Sequence, residues 1–260
     1  MSKNKIKDKF SKAAMQYEDY ALLQKEIADS LFDRILLPED RFTLLDIGVG
    51  TGYLLSKFKD VGFIEGIYGI DIAEGMLSEI RNKNIKASLV QSDALHLPFA
   101  ENQFDLVVSN VAYQWVRDLN LAFLEAKRVL KDKGMFYFTI FTYNTLKELR
   151  ESLTKHNIVK ESNSLEYLPK SEFVWKTLED SGFTISKIDV KEIKQYYNNV
   201  GELLGWLKNI GANKYWPNSF YKGLASRSFL SNISKYYEDN FKEHDNVYTT
   251  FEVMFVEVAK

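Results

Sequence analysis

The chain reads as an α/β protein built on a doubly wound, mostly parallel sheet. Short apolar runs ending in an acid or a polar pair recur through the first half, helix-like segments separate them, and a glycine loop follows the first run. That run and its loop are Leu44-Leu45-Asp46-Ile47-Gly48-Val49-Gly50-Thr51-Gly52, with a helix-like stretch from Tyr53 to Phe58 behind them. Glycine lacks a side chain and tolerates positive φ, so alternate glycines let a backbone turn tightly and lie against a ligand. A dinucleotide fingerprint would need its third glycine where Tyr53 stands, and a phosphate-cradling loop would need Gly-Lys-Ser or Gly-Lys-Thr, which no strand end here carries. An acid followed by Gly-x-Gly-x-Gly remains; an ordinary strand-to-helix turn is the plain alternative.

Ahead of the loop, residues 1–12 hold five lysines against Asp8 and are expected as a solvated terminus. Tyr17, Tyr20, Leu23, Ile27, Leu31 and Ile35 then recur at helical spacing, which predicts one or two helices ended by Pro38 and Asp40. Past the loop, Ile67 to Ile72 is a buried-strand run containing Asp71, followed by a helix bearing Met76, Leu77 and Ile80. In a doubly wound sheet an acid at this strand end, about 20 to 25 residues past the loop, accepts hydrogen bonds from both ribose hydroxyls of a nucleoside. The third strand, Ala87 to Gln91, leads to Asp93, which can accept from an adenine amino group while the backbone N–H of Ala94 or Leu95 donates to the ring. His96, held before the rigid Leu97-Pro98-Phe99 turn, reads as structural.

Phe104 to Asn110 is the fourth strand, which should border the first at the topological switch point, so Asn110, Tyr113, Gln114 and Trp115 are candidate cleft residues. Tyr113 and Trp115 serve equally well as core aromatics. A helix from Leu119 to Leu130, a Lys131-Asp132-Lys133-Gly134 turn and a strand from Met135 to Thr142 follow. Thr145 is expected to N-cap the next helix, with Glu148 as capping-box partner, and Arg150 on that helix is either a substrate contact or a solvated arginine. Then come a helix from Lys170 to Asp180, a strand from Phe183 to Val190, an aromatic-rich segment from Tyr196 to Phe241 with a helix over Leu203 to Ile210 stopped by Gly211-Ala212, and a last strand from Val247 to Ala259.

The 260 residues are 45% hydrophobic with a net charge of -2, which supports a sizeable core and gives no electrostatic footprint of a nucleic-acid binder. There is no cysteine, and His96, His156 and His244 are scattered, so no metal is expected. No apolar run reaches spanning length and no secretory region is seen, so a cytoplasmic protein without membrane contact is expected.

The acid and glycine loop resemble motif I of the class I S-adenosylmethionine-dependent methyltransferases. Phe10-Ser11-Lys12-Ala13-Ala14, Tyr17, Gln24, Gln114-Trp115, Thr145 to Arg150 and Leu207 to Ala212 narrow the resemblance to the malonyl-acyl carrier protein O-methyltransferase family of biotin synthesis. Val49 departs from it, since cysteine is commoner there. The resemblance implies a Rossmann-like sheet of seven strands with an antiparallel last strand, an N-terminal helical cap (1–40), a cofactor-binding core (41–195 and 242–260) and a helical lid (196–241). It implies S-adenosylmethionine as cofactor, with S-adenosylhomocysteine as product, held by Asp46, Gly48, Gly50, Gly52, Asp71, Ile72, Met76, Asp93, Ala94, Asn110 and Gln114. The implied substrate is a malonyl thioester on acyl carrier protein or coenzyme A, touched by Tyr17, Tyr113, Trp115 and Arg150. Tyr17, Asn110 and Gln114 align the reacting groups, with no general base, because a carboxylate is already ionised at neutral pH. A monomer is expected; Lys208, Lys214 and Lys222 are docking charges for the acidic carrier or solvated lysines. A methyltransferase for another small acceptor, such as a quinone precursor or another carboxylic acid, and a non-catalytic cofactor-binding module stand as alternatives.

Overall fold

Apolar spacing and strand-end acids set the order of elements. The computed structural model describes residues 3–83, 85–155, 168–210 and 227–260. Helices α1 (Lys3–Tyr20) and α2 (Leu22–Phe32) precede β1 (Phe42–Ile47), α3 (Tyr53–Lys57), β2 (Ile64–Asp71), α4 (Glu74–Asn82), β3 (Ser88–Gln91) and β4 (Phe104–Asn110). A 3₁₀ turn (Tyr113–Trp115) and α5 (Leu119–Val129) lead into β5 (Leu130–Phe141). Then follow α6 (Lys147–Lys155), α7 (Ser171–Asp180), β6 (Thr184–Tyr197), α8 (Val200–Asn209), α9 (Arg227–Asn240), β7 (Lys242–Glu243) and β8 (Asn246–Ala259).

The sheet runs β3-β2-β1-β4-β5-β8-β6, and β7 pairs with β8 off this path. β1 is parallel to both β2 and β4, β2 to β3, and β4 to β5. Antiparallel pairing enters at the last strand, between β7 and β8. The expected seven-stranded path is present, with β7 added. Because the chain winds outward from β1 through β2 to β3 and returns on its other side as β4, a crevice opens at the carboxyl ends of β1 and β4. Among the described residues no helix is long and apolar enough to cross a membrane.

Contacts divide the chain into two units: Met1–Ile140 with Ser171–Asp189 and Met254–Lys260, and Phe141–Lys170 with Val190–Val253. In the first, Leu106, Val107 and Val108 of β4 and Phe136, Tyr137 and Phe138 of β5 are all fully buried. Such unbroken apolar runs are what strands covered on both faces require. Ala122, Phe123, Ala126 and Val129 of α5 and Val174 and Leu178 of α7 belong to the same core.

Residues 3–12, expected as solvated, are instead helical and belong to α1. Phe10, Ala14 and Tyr17 fall on one helical face and pack with Ile72, Ala73 and Met76, so the lysines that dominate the composition conceal an apolar stripe. Gly75 lets the two helices meet: its N–H donates to Ser11 Oγ at 3.3 Å, and a Cβ there would lie 2.5 Å from the Ser11 carbonyl oxygen. The Lys131–Gly134 turn is kept as an irregularity inside β5, which begins at Leu130 and not at Met135; Lys133 has φ 65° and the register with β4 shifts there.

In the second unit the Thr145–Glu148 capping box does not form. Thr145 Oγ1 donates to the Glu252 carbonyl and accepts from the Glu252 N–H, each at 3.1 Å. Glu148 is buried and accepts from the Thr250 N–H (2.9 Å) and from the Thr249 and Thr250 hydroxyls (3.3 and 2.5 Å). Partners on β8 outcompete the local cap, because the buried polar atoms of that strand would otherwise go unpaired. β6 runs on to Tyr197, past the expected Val190, with lysines along a largely exposed face suited to the end of a sheet. α8 is capped by Asn199, which accepts from the Glu202 N–H at 3.0 Å. The Gly211-Ala212 stop, Lys214, Tyr215, Trp216, Phe220, Tyr221, Lys222 and His156 lie outside the described residues.

Gly75→Val should force α1 away from α4. We expect a stability loss of about 1–3 kcal/mol by denaturant unfolding, with faster amide exchange concentrated in α1.

Candidate cofactor and substrate site

The site begins where β1 stops. Gly48, Gly50 and Gly52 have φ of 76°, 55° and 83°, values that glycine adopts without strain. The N–H groups of Gly48 and Val49 both donate to the Ile70 carbonyl at 2.9 Å, which pins the loop to the tip of β2. Gly50 N–H donates to Asp71 Oδ2 at 3.0 Å, and Ala73 N–H to Asp71 Oδ1 at 2.8 Å. A Cβ on Gly48 would strike Ala112 Cβ at 2.4 Å, whereas one on Gly50 would meet nothing within 4 Å. The backbone at Gly50 therefore borders open space.

That space is a cavity of about 280 Å³ whose wall includes Gly48 and Gly50. β2 contributes Asp71, the turn after it Ile72 and α4 Met76; the segment after β3 contributes Asp93 and Ala94. Asn110, Tyr113 and Trp115 come from the end of β4 and the 3₁₀ turn, and Tyr17 from α1. Burial pushes the Asp71 carboxyl up to about 6, against the stabilising N–H donors of Ala73, Gly50 and Ile72. Burial, and then the charge of Asp71, push the Tyr17 hydroxyl up as well.

Other expected residues stand elsewhere. Asp46 lines a second cavity of about 60 Å³, its Oδ2 buried with no partner among the described residues; burial and then Asp71 hold its carboxyl well above the usual range. Gly52 is packed under Ile80 and Ile85 and lies on neither wall. Gln114 is buried and donates to the Val111 carbonyl, which holds the 3₁₀ turn in shape. Asn110 borders both cavities, but its amide is engaged: Nδ2 donates to the Gln24 carbonyl (2.9 Å) and Oδ1 accepts from Thr139 Oγ1 (2.8 Å). Tyr113 is 1% exposed and its ring packs among Phe123, Phe136 and Phe138, so it is at once core and cavity wall. Arg150, in the second unit, donates to the Tyr143 and Thr145 carbonyls and lies 4.1 Å over the Tyr143 ring. It is not part of either cavity wall.

Sequence reasoning missed several wall residues. Phe10 meets Trp115 edge to face at 5.1 Å, and both rings line the larger cavity. The i, i+4, i+7 spacing of Phe10, Ala14 and Tyr17 was the available signal. Val116 adds apolar wall, as does Leu95, whose N–H, expected to meet a base, donates instead to Asp93 Oδ1 at 3.1 Å; Arg117 is the one exposed residue among the described wall residues. Gln24 and Lys25 of α2 line the smaller cavity. Nothing in the spacing distinguishes Gln24 from a solvated helix glutamine, although it is only 8% exposed.

Residues 45–138 match the family model described as Methyltransferase domain. The chain is 32% identical over 261 residues to the malonyl-acyl-carrier protein O-methyltransferase of Methylococcus capsulatus, covering 96% of this chain and 91% of that protein. It is 32% identical over 269 residues to the biotin biosynthesis bifunctional protein BioHC of Saccharophagus degradans, covering 100% of this chain and 47% of that protein. In fold it is similar to phosphoethanolamine N-methyltransferase 2 of Haemonchus contortus, solved with S-adenosyl-L-methionine, with a TM-score of 0.54 at 22% identity over 90% of this chain and 52% of that one. The match to the Methylococcus protein extends through both units, from the helices before the glycine loop to the final strand, and the chain belongs to the malonyl-acyl-carrier protein O-methyltransferase family.

Proposed function

We propose that this chain transfers a methyl group from S-adenosylmethionine to the free carboxylate of a malonyl group on acyl carrier protein, giving a methyl ester for biotin synthesis. The observation that carries this reading is the likeness to a malonyl-acyl-carrier protein O-methyltransferase over nearly the whole of both chains, since the cofactor side of the site alone is common to many methyltransferases. Coenzyme A as an alternative carrier, a monomeric state and a cytoplasmic location belong to the same proposal.

The residues present fit the cofactor. Asp71 accepts the N–H groups of Gly50 and Ala73 on separate oxygens, with Ile72 N–H a further donor, and its remaining acceptor capacity suits ribose hydroxyls. Ile72, Leu95 and Val116 offer apolar wall to a flat base, and the open space at Gly50 admits a ligand against bare backbone. Bound there, S-adenosylmethionine supplies a methyl carbon made electrophilic by its sulfonium. The chain's task is to orient the acceptor and keep water out. A malonyl carboxylate is ionised at neutral pH, so no group on the wall has to remove a proton. Phe10, Tyr113 and Trp115 give the cavity an apolar lining, in which an anion sheds its water and attacks more readily. Tyr17 supplies a neutral donor kept protonated by its burial. Arg150 enters the proposal through the resemblance alone, as the cationic donor to the substrate carboxylate; within the second unit its buried Nε–H has no acceptor among the described residues.

The direct test supplies malonyl-acyl carrier protein, malonyl-coenzyme A or free malonate together with S-adenosylmethionine. We expect one methyl ester per S-adenosylhomocysteine with the carrier-bound substrate; turnover of a quinone precursor in its place would refute the proposal. For Asp71, ionisation and ribose binding support one another, so affinity for S-adenosylhomocysteine should rise with pH through about 6 and level off above it. Asp71→Asn should abolish that rise and weaken binding roughly 10- to 100-fold near pH 7.5, read by calorimetry. Arg150→Ala should raise KM for the malonyl substrate about tenfold while leaving KM for S-adenosylmethionine unchanged; an unaltered malonyl KM removes Arg150 from the site.

A further inference from the structure

Two rings from different elements close one stretch of the larger cavity's wall: Phe10 of α1 and Trp115 of the 3₁₀ turn, edge to face with centroids 5.1 Å apart. Each stands on backbone that resists retreat. Beside Phe10, Ser11 passes so close to Gly75 of α4 that a Cβ on Gly75 would lie 2.5 Å from the Ser11 carbonyl oxygen. Phe10 itself packs on Ala14, Ala73 and Met76. Moving its ring outward therefore means parting two helices.

Trp115 is presented by a turn that is held just as firmly. Its N–H donates to the Ala112 carbonyl and the Val116 N–H to the Tyr113 carbonyl, each at 3.0 Å. The chain enters this turn through Val111, whose φ of 42° is a left-handed value that a β-branched residue adopts only under constraint. The constraint comes from β5: the Val111 N–H donates to the Thr139 carbonyl at 3.1 Å and to Thr139 Oγ1 at 2.9 Å. Ala112 leaves no room for a Cβ on Gly48, and the Tyr113 ring is packed among Phe123, Phe136 and Phe138. The backbone under Trp115 is thus fixed from three sides.

The cofactor has its own part of the wall, with Asp71, Asp93 and the open backbone at Gly50. What is left for an acceptor is aromatic. At about 280 Å³ the cavity is small beside the roughly 300–1,000 Å³ of pockets for drug-sized ligands, so a bound nucleoside leaves little spare room. We propose that Phe10, backed by Trp115, sets the width of the acceptor: the site admits an unbranched malonyl group and rejects one that carries a substituent on its central carbon. The inference rests on a malonyl thioester being the acceptor. Branching leaves the chemistry alone, since in either case a carboxylate oxygen–methyl bond forms as the sulfur–methyl bond breaks, giving a neutral ester and a thioether with no proton to move. The discrimination is steric: an added methyl has to displace a ring whose helix does not yield, which is the cost of overpacking an interior.

The probes are malonyl- and methylmalonyl-acyl carrier protein, which differ by one methyl on the carbon between the two carbonyls. With the unaltered chain, kcat/KM should favour the malonyl substrate about a hundredfold. Phe10→Ala in the full chain should lower that ratio about tenfold or more, chiefly through faster methylmalonyl transfer. Phe10→Leu should fall between, and Phe10→Tyr should keep the full preference. Both substrates meet the same preparation, so the folded fraction cancels from the ratio, and Phe10→Leu preserves the apolar stripe of α1 should Phe10→Ala fail to fold. Equal use of both substrates by the unaltered chain, or ratios within about twofold of the unaltered value in Phe10→Ala and Phe10→Leu, overturns the inference and leaves the proposed function standing. Transfer to neither substrate by the unaltered chain overturns the proposed function and this inference with it.

Discussion

The hydrogen bond from the Gly50 N–H to Asp71 is the constraint on which the site depends. It joins the loop after β1 to the tip of β2, and the Ala73 N–H on the other oxygen fixes the carboxylate in one orientation. The cost is a carboxylate in an apolar cavity, visible in a pKa pushed up to about 6 by burial. Asp46 lies close enough to be pushed further by the charge of Asp71. Two acids competing to hold protons give the region a readiness to accept positive charge. On the proposed reading this favours a sulfonium over the neutral thioether left after transfer, which helps exchange product for fresh cofactor.

The second unit solves a different problem with similar means. Glu148 and Glu252 are both largely buried and saturated by neutral donors: Thr249, Thr250 and the Thr250 N–H around one, Thr142 and Asn144 around the other. These contacts stitch the stretch leading into α6 to β8. Arg150 is steadied on the same stretch by the Tyr143 and Thr145 carbonyls, so a cation is held by dipoles and not by a carboxylate that would neutralise it.

Much of this was legible in the sequence because strand ends announce themselves. Leu44 to Asp46, Ile67 to Asp71 and Phe104 to Asn110 pass from apolar to polar where the sheet ends, and the structure brings Asp71, Asp93 and Asn110 to one cavity. Position along a strand could not reveal which way a helix side chain is spent. Thr145 and Glu148 satisfy the spacing of a cap, yet β8 offers both of them better partners from more than a hundred positions away. The lysine-rich beginning misled for a related reason: charge dominates composition, but the Phe10, Ala14 and Tyr17 stripe decides the fold of α1. Gln24 stood out only as part of the family resemblance, and its place on a cavity wall became visible through burial, since helical spacing does not report it.

Asn110 bears on how this enzyme can be altered. Its side chain props α2 through the Gln24 carbonyl, is itself braced by Thr139, and borders both cavities at once. On the proposed reading substitution there perturbs cofactor and acceptor together, so selection for a new acceptor would begin instead on the aromatic side of the wall, where Trp115 and Phe10 touch each other.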